Sequence, residues 1–237
     1  MTKPTWVFNC GIYRSASTTQ YQITRDIVEA VDRGRGIGYH SRKKLQANDV
    51  PNDGKYIVCK AFVFLPSVCR MTSGFLDENR LKAVCSIRDP RDVIASMKVR
   101  HNRHFADPFP TRHRITVDLP QWLRDLQQWV DLGSVCYVSR YEDFTRDLRR
   151  EVDSIAKFLG VDLPGDKADE IANGYTVSAI QERKDKRDRN EREDQHLPNI
   201  PDILFGKPGA HREQLSNVEV RWIEEYNRGF MERWGYL

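Results

Sequence analysis

The sequence has no long apolar stretch and no leader-like beginning. No hydrophobic run approaches the roughly 20 residues that a membrane-spanning helix needs, and the mean hydropathy over 237 residues is -0.65. The first residues also lack the basic-then-apolar pattern of a secretory signal. We therefore expect a cytoplasmic protein that has no membrane partner.

Cysteine is scarce, and its spacing is not that of a paired or metal-binding set. The chain has five cysteines, an odd number, and no two of them show the close pairing typical of a zinc site. Four of them lie in or beside short apolar runs: Cys10, Cys59, Cys85 and Cys136. We interpret them as buried free thiols in a reducing compartment rather than as metal ligands or redox groups.

Acidic residues are few in one part of the chain. From Arg80 to Arg114 there are nine Lys or Arg against three Asp, together with three histidines, although the net charge of the whole chain is only +4. Such a local excess of positive charge indicates an anionic ligand. Because the region lacks interleaved stacking aromatics, we favour a small anion over nucleic acid.

Four short runs have the β-branched and aromatic character of buried strands, and helical patterns separate them. The predicted strands are Trp6 to Asn9, Tyr56 to Lys60, Ala83 to Ile87 and Val135 to Ser139. This alternation predicts a single α/β domain over residues 1–237, with a central, mainly parallel β-sheet flanked by helices. Ligands of such sheets bind where the carboxyl ends of the strands meet the following loops.

Apolar spacing and turn residues locate the helices. The predicted helices are Thr18 to Val31, Pro90 to His101, Gln121 to Leu132, Asp147 to Leu159 and Asn217 to Trp234. Residues 181–194 carry six basic and six acidic side chains and no apolar residue, so they cannot enter a core. We interpret this run as a solvated helix extension or a mobile loop, with a lid over an acceptor site as the alternative.

The first predicted strand runs into a loop of small polar residues and then directly into a helix. The loop carries Arg14, Ser15, Ala16, Ser17, Thr18 and Thr19. Its small residues let successive backbone N–H groups turn toward one point, where the helix N-terminus adds partial positive charge. Arg14 adds a permanent cation, and the hydroxyl groups can supply further contacts. The sequence therefore predicts an anion site, although the G-x-x-x-x-G-K-[ST] loop of nucleotide kinases is missing.

A second motif reads Arg88-Asp89-Pro90-Arg91-Asp92 and continues to Ser96. Arg88 stands at the end of a predicted strand, and Ser96 lies two turns into the helix that Pro90 begins. An offset of eight residues returns Ser96 to roughly the same helix face as Arg88, so both can hold one phosphate. We expect Asp89 and Asp92 to cap the helix or to support the arginines.

These two motifs resemble those of the sulfotransferase family. Its 5′-phosphosulfate loop has Lys or Arg, then Ser, Gly and a Ser/Thr pair, and Ala16 stands here at the position of that glycine. The run from Arg88 to Ser96 is similar to the family's 3′-phosphate motif. Residues 141–144 and 155–160 resemble segments that shape the core and the nucleotide pocket, and residues 206–212 are similar to the family's glycine-bounded loop that closes on the nucleotide.

The resemblance implies an enzyme that moves a sulfuryl group from 3′-phosphoadenosine-5′-phosphosulfate (PAPS) to a hydroxyl or amine of a small-molecule acceptor by in-line transfer. The product is adenosine 3′,5′-bisphosphate (PAP). It also implies that the loop from Arg14 to Thr19 holds the 5′-phosphosulfate and that Arg88 and Ser96 hold the 3′-phosphate. The further candidate nucleotide contacts are Tyr141, Lys207 and Arg212.

The candidate catalytic residues are Lys60, Arg14 and His40. Lys60 or Arg14 would stabilise charge on the departing bridging oxygen. Cytosolic members of the family have a Lys-x-His whose histidine is the base, and Phe62 stands at that position here. We therefore take His40 as the candidate base, because an imidazole with an ordinary pKa of about 6.5 accepts a proton near neutral pH. The lesser candidates are His101, His104 and His211.

Two other functions compete with this interpretation. A P-loop kinase acting on a small metabolite or nucleoside would need Mg²⁺ and the missing lysine, and it would not use Arg88 with Ser96. A non-catalytic protein that binds nucleotides or nucleic acid would show steeply salt-dependent binding and no turnover. Several aromatic residues fit either an acceptor pocket or the core: Tyr39, Phe62, Phe64, Phe105 and Phe109.

Overall fold

A computed structural model describes residues 3–39, 55–61, 74, 78–188 and 206–237. In this part of the chain, five parallel strands form one sheet in the order β2-β3-β1-β4-β5. The strands are β1 (Thr5–Gly11), β2 (Gly34–Tyr39), β3 (Tyr56–Lys60), β4 (Leu81–Ile87) and β5 (Cys136–Arg140). The predicted α/β fold with a parallel central sheet is confirmed.

Helices follow the strands along the chain. They are α1 (Ser17–Ala30), α2 (Pro90–His104), α3 (Thr111–His113), α4 (Leu119–Val130), α5 (Tyr141–Arg146), α6 (Leu148–Leu159), α7 (Gly165–Gly174), α8 (Val177–Asp188), α9 (His211–Gln214), α10 (Asn217–Tyr226) and α11 (Arg228–Arg233). A π-helical turn (Arg114–Asp118) joins α3 to α4. Within the described ranges, no helix combines the length and the apolar character that a membrane span requires.

Two hydrophobic layers enclose the sheet, because alternate side chains of a strand point to opposite faces. On one face, Phe8 of β1 packs against Trp129 of α4, with ring centroids 5.2 Å apart. On the other face, Val7 of β1 joins a cluster that includes Ile27 of α1 and Ile155 of α6. The carboxyl ends of β1, β3 and β4 therefore lie between helical layers, at the edge where a ligand site is expected.

The cysteines lie mostly inside this core. Cys10, Cys59 and Cys85 are buried, Cys136 is partly buried, and all four have free thiols. Burial raises the pKa of the Cys10 and Cys85 thiols, which keeps them protonated and unreactive. The fifth cysteine, Cys69, lies outside the described residues.

The structure departs from the sequence prediction at one edge of the sheet, strand β2, and in the C-terminal helix. Strand β2 was not predicted, because its sequence, Gly-Arg-Gly-Ile-Gly-Tyr, is not a run of apolar or β-branched residues. A Cβ atom at Gly34 would lie 2.6 Å from the carbonyl oxygen of Tyr56, so this edge strand needs a glycine to pair with β3. The single C-terminal helix that was predicted is wrong, since Asn227 separates α10 from α11 and its side-chain amide donates to the Ile223 carbonyl.

Helix α7 was also not predicted, and α8 accounts for part of the charged run. The first eight residues of that run, 181–188, continue α8, which agrees with a helix extension. The remaining residues, 189–194, lie outside the described part of the chain.

Candidate active site

The loop between β1 and α1 crosses the carboxyl edge of the sheet. Arg14 and Ala16 both adopt the left-handed conformation, each with φ of 64°. A left-handed alanine is costly by about 1–2 kcal/mol, whereas glycine adopts this conformation freely. The glycine that the family has at this position therefore agrees with the observed backbone.

The N-terminus of α1 has no side-chain cap among the described residues. Ala16 is the N-cap residue and its side chain offers no acceptor, and the first turn contains no acidic residue. The first N–H groups of an α-helix have no partners within the helix, and the helix dipole favours an anion beside them. The loop and this helix start together suit a phosphate or sulfate group.

The hydroxyl side chains of the loop divide into two groups. Ser15 is buried, and its Oγ donates to the Ile12 carbonyl at 2.7 Å and lies 2.6 Å from Ser86 Oγ on β4. Its hydroxyl therefore braces the loop within the protein. Ser17 and Thr19 are also buried, whereas Thr18 in the first turn of α1 is half-buried.

Arg88 follows β4 and is almost completely enclosed, with 2% of its surface exposed. Its guanidinium lies 4.1 Å above the ring of Tyr141, and Nη1 donates to the carbonyl of Arg14 at 2.8 Å. Among the described residues, no carboxylate pairs with Arg88, and Nε and Nη2 have no hydrogen-bond partner. A buried charge in this state is unfavourable unless a counter-charge reaches it, so the site is suited to an anionic ligand.

Helix α2 carries the second motif. Asp89 is its N-cap and accepts from the backbone N–H of Arg91 at 2.9 Å, as expected for the capping role. Ser96 is buried two turns later, and its Oγ accepts from Nε of Arg14 at 3.0 Å. Arg14 thus contacts Arg88 through its carbonyl and Ser96 through its side chain. The structure brings the two sequence motifs together in one site.

The segment that begins at Gly206 covers one side of this site. Tyr141 donates its hydroxyl to the Gly206 carbonyl at 2.6 Å. A Cβ atom at Gly206 would lie 2.5 Å from Nη2 of Arg88, so only glycine fits there. Lys207 and Arg212, which the sequence indicated because of their charge, are exposed. Sequence reasoning missed Gly206 as a site residue, although the glycine that begins the 206–212 loop was a usable signal.

Lys60 lies at the end of β3 and pairs in register with Asn9 of β1. Its side chain is 1% exposed, and this burial lowers its pKa to about 7. The ammonium group is therefore easily deprotonated near neutral pH, and an anion beside it would favour the charged form.

The proposed base, His40, lies outside the described residues, as do Phe62 and Phe64. Two of the lesser candidates are engaged elsewhere: His101 lies 2.9 Å from the Asp107 carbonyl, and His211 lies 2.7 Å from Asp92. His104 is exposed.

Three of the five aromatic candidates lie in the described part of the chain. Tyr39 is the last residue of β2 and pairs in register with Lys60 of β3. Phe105 is exposed and stacks on His101, and Phe109 packs against the core. In the described part of the chain, no three His, Cys, Asp or Glu side chains are grouped as metal ligands.

A parallel sheet whose first strand and loop lead into an uncapped helix start, with a buried arginine beside the loop, is the arrangement of an α/β protein suited to a phosphorylated ligand. A family model described as "Sulfotransferase domain" matches residues 69–235, which is more than half of the chain. The chain therefore belongs to the sulfotransferase family. The matched range contains Arg88 and Ser96 and begins after the loop at Arg14.

Solved structures of sulfotransferase-related proteins share the fold. Retinol dehydratase, crystallised with androsterone and the inactive cofactor PAP, is 18% identical with a TM-score of 0.66, over 98% of this chain and 82% of that chain. Mouse sulfotransferase SULT7A1 with PAP is 14% identical with a TM-score of 0.70, over 97% of this chain and 84% of that chain. No curated protein matches the sequence significantly.

These findings confirm the predicted fold class and the predicted enzyme class, a PAPS-dependent sulfotransferase. They do not favour the kinase or the non-catalytic binding protein.

Proposed function

We propose that this chain transfers a sulfuryl group from PAPS to a hydroxyl or amine of a small-molecule acceptor and releases PAP. Its membership of the sulfotransferase family supports the reaction. The PAP complexes of two similar proteins, retinol dehydratase and SULT7A1, support the donor, and the androsterone and retinol in complexes of retinol dehydratase support a small-molecule acceptor. A cytoplasmic location and the absence of nucleic-acid and membrane partners remain predictions.

The observation that carries the proposal is the state of Arg88. Its charge is buried, two of its nitrogens have no partner among the described residues, and its remaining nitrogen contacts the phosphate loop. A 3′-phosphate would satisfy both nitrogens, because guanidinium and phosphate form paired, charge-assisted hydrogen bonds. ATP lacks that phosphate, so a kinase would leave Arg88 buried and unpaired.

The residues divide between the two ends of the donor. The uncapped N-terminus of α1 and the loop from Arg14 to Thr19 would hold the 5′-phosphosulfate, while Arg88 and Ser96 would hold the 3′-phosphate. Tyr141 keeps the Arg88 guanidinium in place from below. Lys207 and Arg212, which are exposed, would contribute only outer contacts.

When bound, PAPS supplies a sulfuryl group whose transfer to the acceptor displaces PAP. Sulfuryl transfer resembles phosphoryl transfer, in which positioning and fixed positive charge supply most of the catalysis. Lys60 and Arg14 are the cations proposed to stabilise the departing oxygen. We retain His40 as the proposed base, and we expect His40→Ala to lower kcat by about 100-fold or more; turnover within a fewfold of the parent would show that the base is another group.

The proposed donor is tested by thermal unfolding with PAP and, separately, with ATP and Mg²⁺. A ligand at about 100 times its dissociation constant stabilises the folded state by about 2.7 kcal/mol. We expect stabilisation by PAP and little by ATP with Mg²⁺, followed by turnover of labelled PAPS in an acceptor screen. Stabilisation by ATP with Mg²⁺ alone would indicate a kinase, and PAP binding without turnover of any acceptor would indicate a binding protein.

A further inference from the structure

Asp92 occupies an unexpected place for an acidic residue. It follows Arg88 by four positions and precedes Ser96 by four, so it lies on the same face of α2 as Ser96, between the two residues assigned to the 3′-phosphate. Its side chain is 1% exposed. A carboxylate directed at a phosphate would repel it, so its role here is not to contact the nucleotide.

The carboxylate instead binds the segment that follows Gly206. Oδ2 accepts from the backbone N–H of Gly209 at 2.7 Å, and Oδ1 accepts from the backbone N–H of His211 at 2.9 Å. Nδ1 of His211 lies 2.7 Å from the same Oδ1. Because a carboxylate only accepts, Nδ1 carries the hydrogen. We call Asp92, Gly209 and His211 the Asp92 latch.

The latch lies close to the wall of the Arg88 site. Gly206 comes three residues before Gly209, accepts a 2.6 Å hydrogen bond from Tyr141 and leaves no room for a side chain beside Arg88. The segment is thus attached at two points, to α2 through the latch and to α5 through Tyr141. Losing the latch would release the segment on the α2 side and let Gly206 move away from Arg88.

The same hydrogen bonds explain why Asp92 does not neutralise Arg88. Asp92 follows Arg88 by only four residues, yet its oxygens are bonded to Gly209 and His211, and the two residues form no ion pair. Three N–H donors stabilise the carboxylate charge where it is. Arg88 therefore keeps its charge available for a ligand.

We propose that Asp92 is a positioning residue, which holds residues 206–211 across α2 so that the Gly206 backbone completes the pocket around Arg88 and makes binding selective for nucleotides with a 3′-phosphate. The proposal rests on the proposed function, because it assigns Arg88 to that phosphate.

The test is Asp92→Asn in the full chain, with PAP and adenosine 5′-monophosphate as probes in isothermal titration calorimetry. The amide replaces one acceptor by a donor that faces another N–H, so a charge-assisted bond is lost. We expect the Kd of PAP to rise about 10- to 100-fold, the Kd of adenosine 5′-monophosphate to change less than about 3-fold, and kcat at saturating donor to stay within a fewfold of the parent.

The matched control is Glu219→Gln. Glu219 is another buried carboxylate that joins α2 to the C-terminal part of the chain, since it accepts from Lys98 at 2.8 Å and from the Ser216 N–H at 2.7 Å. The Glu219→Gln variant should have a lower melting temperature than the parent and the same Kd of PAP. If Asp92→Asn binds PAP as the parent does, or weakens both nucleotides equally, the proposal is wrong.

A second pair of variants decides the matter if Asp92→Asn does not fold. His211→Asn keeps an N–H donor for Asp92, whereas His211→Leu removes it. The proposal expects PAP affinity to be near the parent value in His211→Asn and reduced in His211→Leu, and equal affinities would overturn it. A parent protein that fails to bind PAP at all would instead refute the proposed function.

Discussion

Replacing Arg88 by methionine tests the buried charge most directly. Methionine has a similar length, but it carries no charge, so burying it away from water has no desolvation cost. The variant loses the hydrogen bond to the Arg14 carbonyl, which contributes about 1.5–3 kcal/mol because the donor is charged. It also relieves the cost of burying an unpaired guanidinium. We therefore expect the free energy of unfolding without ligand to change by no more than about 2 kcal/mol.

The effect on ligand binding should be far larger. Each of the two buried nitrogens without a partner can donate to a phosphate oxygen, and a hydrogen bond to a charged group contributes about 1.5–3 kcal/mol. Their loss should raise the Kd of PAP by about 100-fold or more. With PAP at about 100 times the parent Kd, the parent gains about 2.7 kcal/mol, and Arg88→Met gains no more than about 0.4 kcal/mol.

Differential scanning fluorimetry resolves this contrast. A stabilisation of 1 kcal/mol raises the melting temperature of a chain of this size by about 2–4 °C, so the parent should shift by about 5–10 °C and the variant by about 1–2 °C. Arg183→Met is a matched control. Arg183 of α8 also lies above an aromatic ring, 5.0 Å from the ring centroid of Tyr175, but outside the candidate site. A parent-sized shift in Arg88→Met, or its loss in Arg183→Met, would refute the assignment.

Three further predictions concern the loop, the buried lysine and the exposed cations. Burial lowers the pKa of Lys60 to about 7, so above that pH the unfolded chain binds one more proton than the folded protein. The free energy of unfolding of the parent, relative to that of Lys60→Met, should therefore rise by up to about 1.4 kcal/mol per pH unit from about pH 7 to about pH 9. Urea titrations measure this difference. A pH-independent difference would contradict this.

Ala16→Gly should change the free energy of unfolding by less than about 1 kcal/mol, whereas the β-branched Ala16→Val should cost more, because φ there is 64°. Equal losses of unfolding free energy in Ala16→Gly and Ala16→Val, measured by chemical denaturation, would contradict a left-handed conformation at position 16. Lys207→Gln and Arg212→Gln should each raise the Kd of PAP less than about 5-fold by calorimetry, since both side chains are exposed. A loss as large as that of Arg88→Met would place them inside the site.

Four strands could be predicted because their residues carry the information locally. Strands β1, β3 and β4 are short runs of apolar and β-branched residues that become buried in the sheet, and β5 is a similar run that is mostly half-buried. Strand β2 reads Gly-Arg-Gly-Ile-Gly-Tyr and has no such signal. It forms because Gly34 permits close approach to Tyr56 on β3, a contact that depends on the folded sheet and not on local preference.

The candidate site was predictable residue by residue but not as a set of contacts. The resemblance indicated Arg14, Arg88 and Ser96, because each belongs to a short motif that is continuous in the sequence. Arg14 and Ser96 are 82 residues apart, and their hydrogen bond arises only when β1 and β4 pair side by side. The same holds for Asp92, which the sequence suggested as a cap or a support for arginine and which instead binds Gly209 and His211.

Arg14 is the residue through which the two motifs become one site. Its left-handed φ of 64° is unfavourable for a residue other than glycine, so the surrounding contacts must maintain it. In that conformation its carbonyl accepts from Arg88 and its Nε donates to Ser96. A disturbance of the loop should therefore reach Arg88 and Ser96, and removal of Arg88 frees the loop carbonyl. Because Arg14 contacts both Arg88 and Ser96, we expect the site to bind a nucleotide with phosphate at both positions more tightly than one with either phosphate alone.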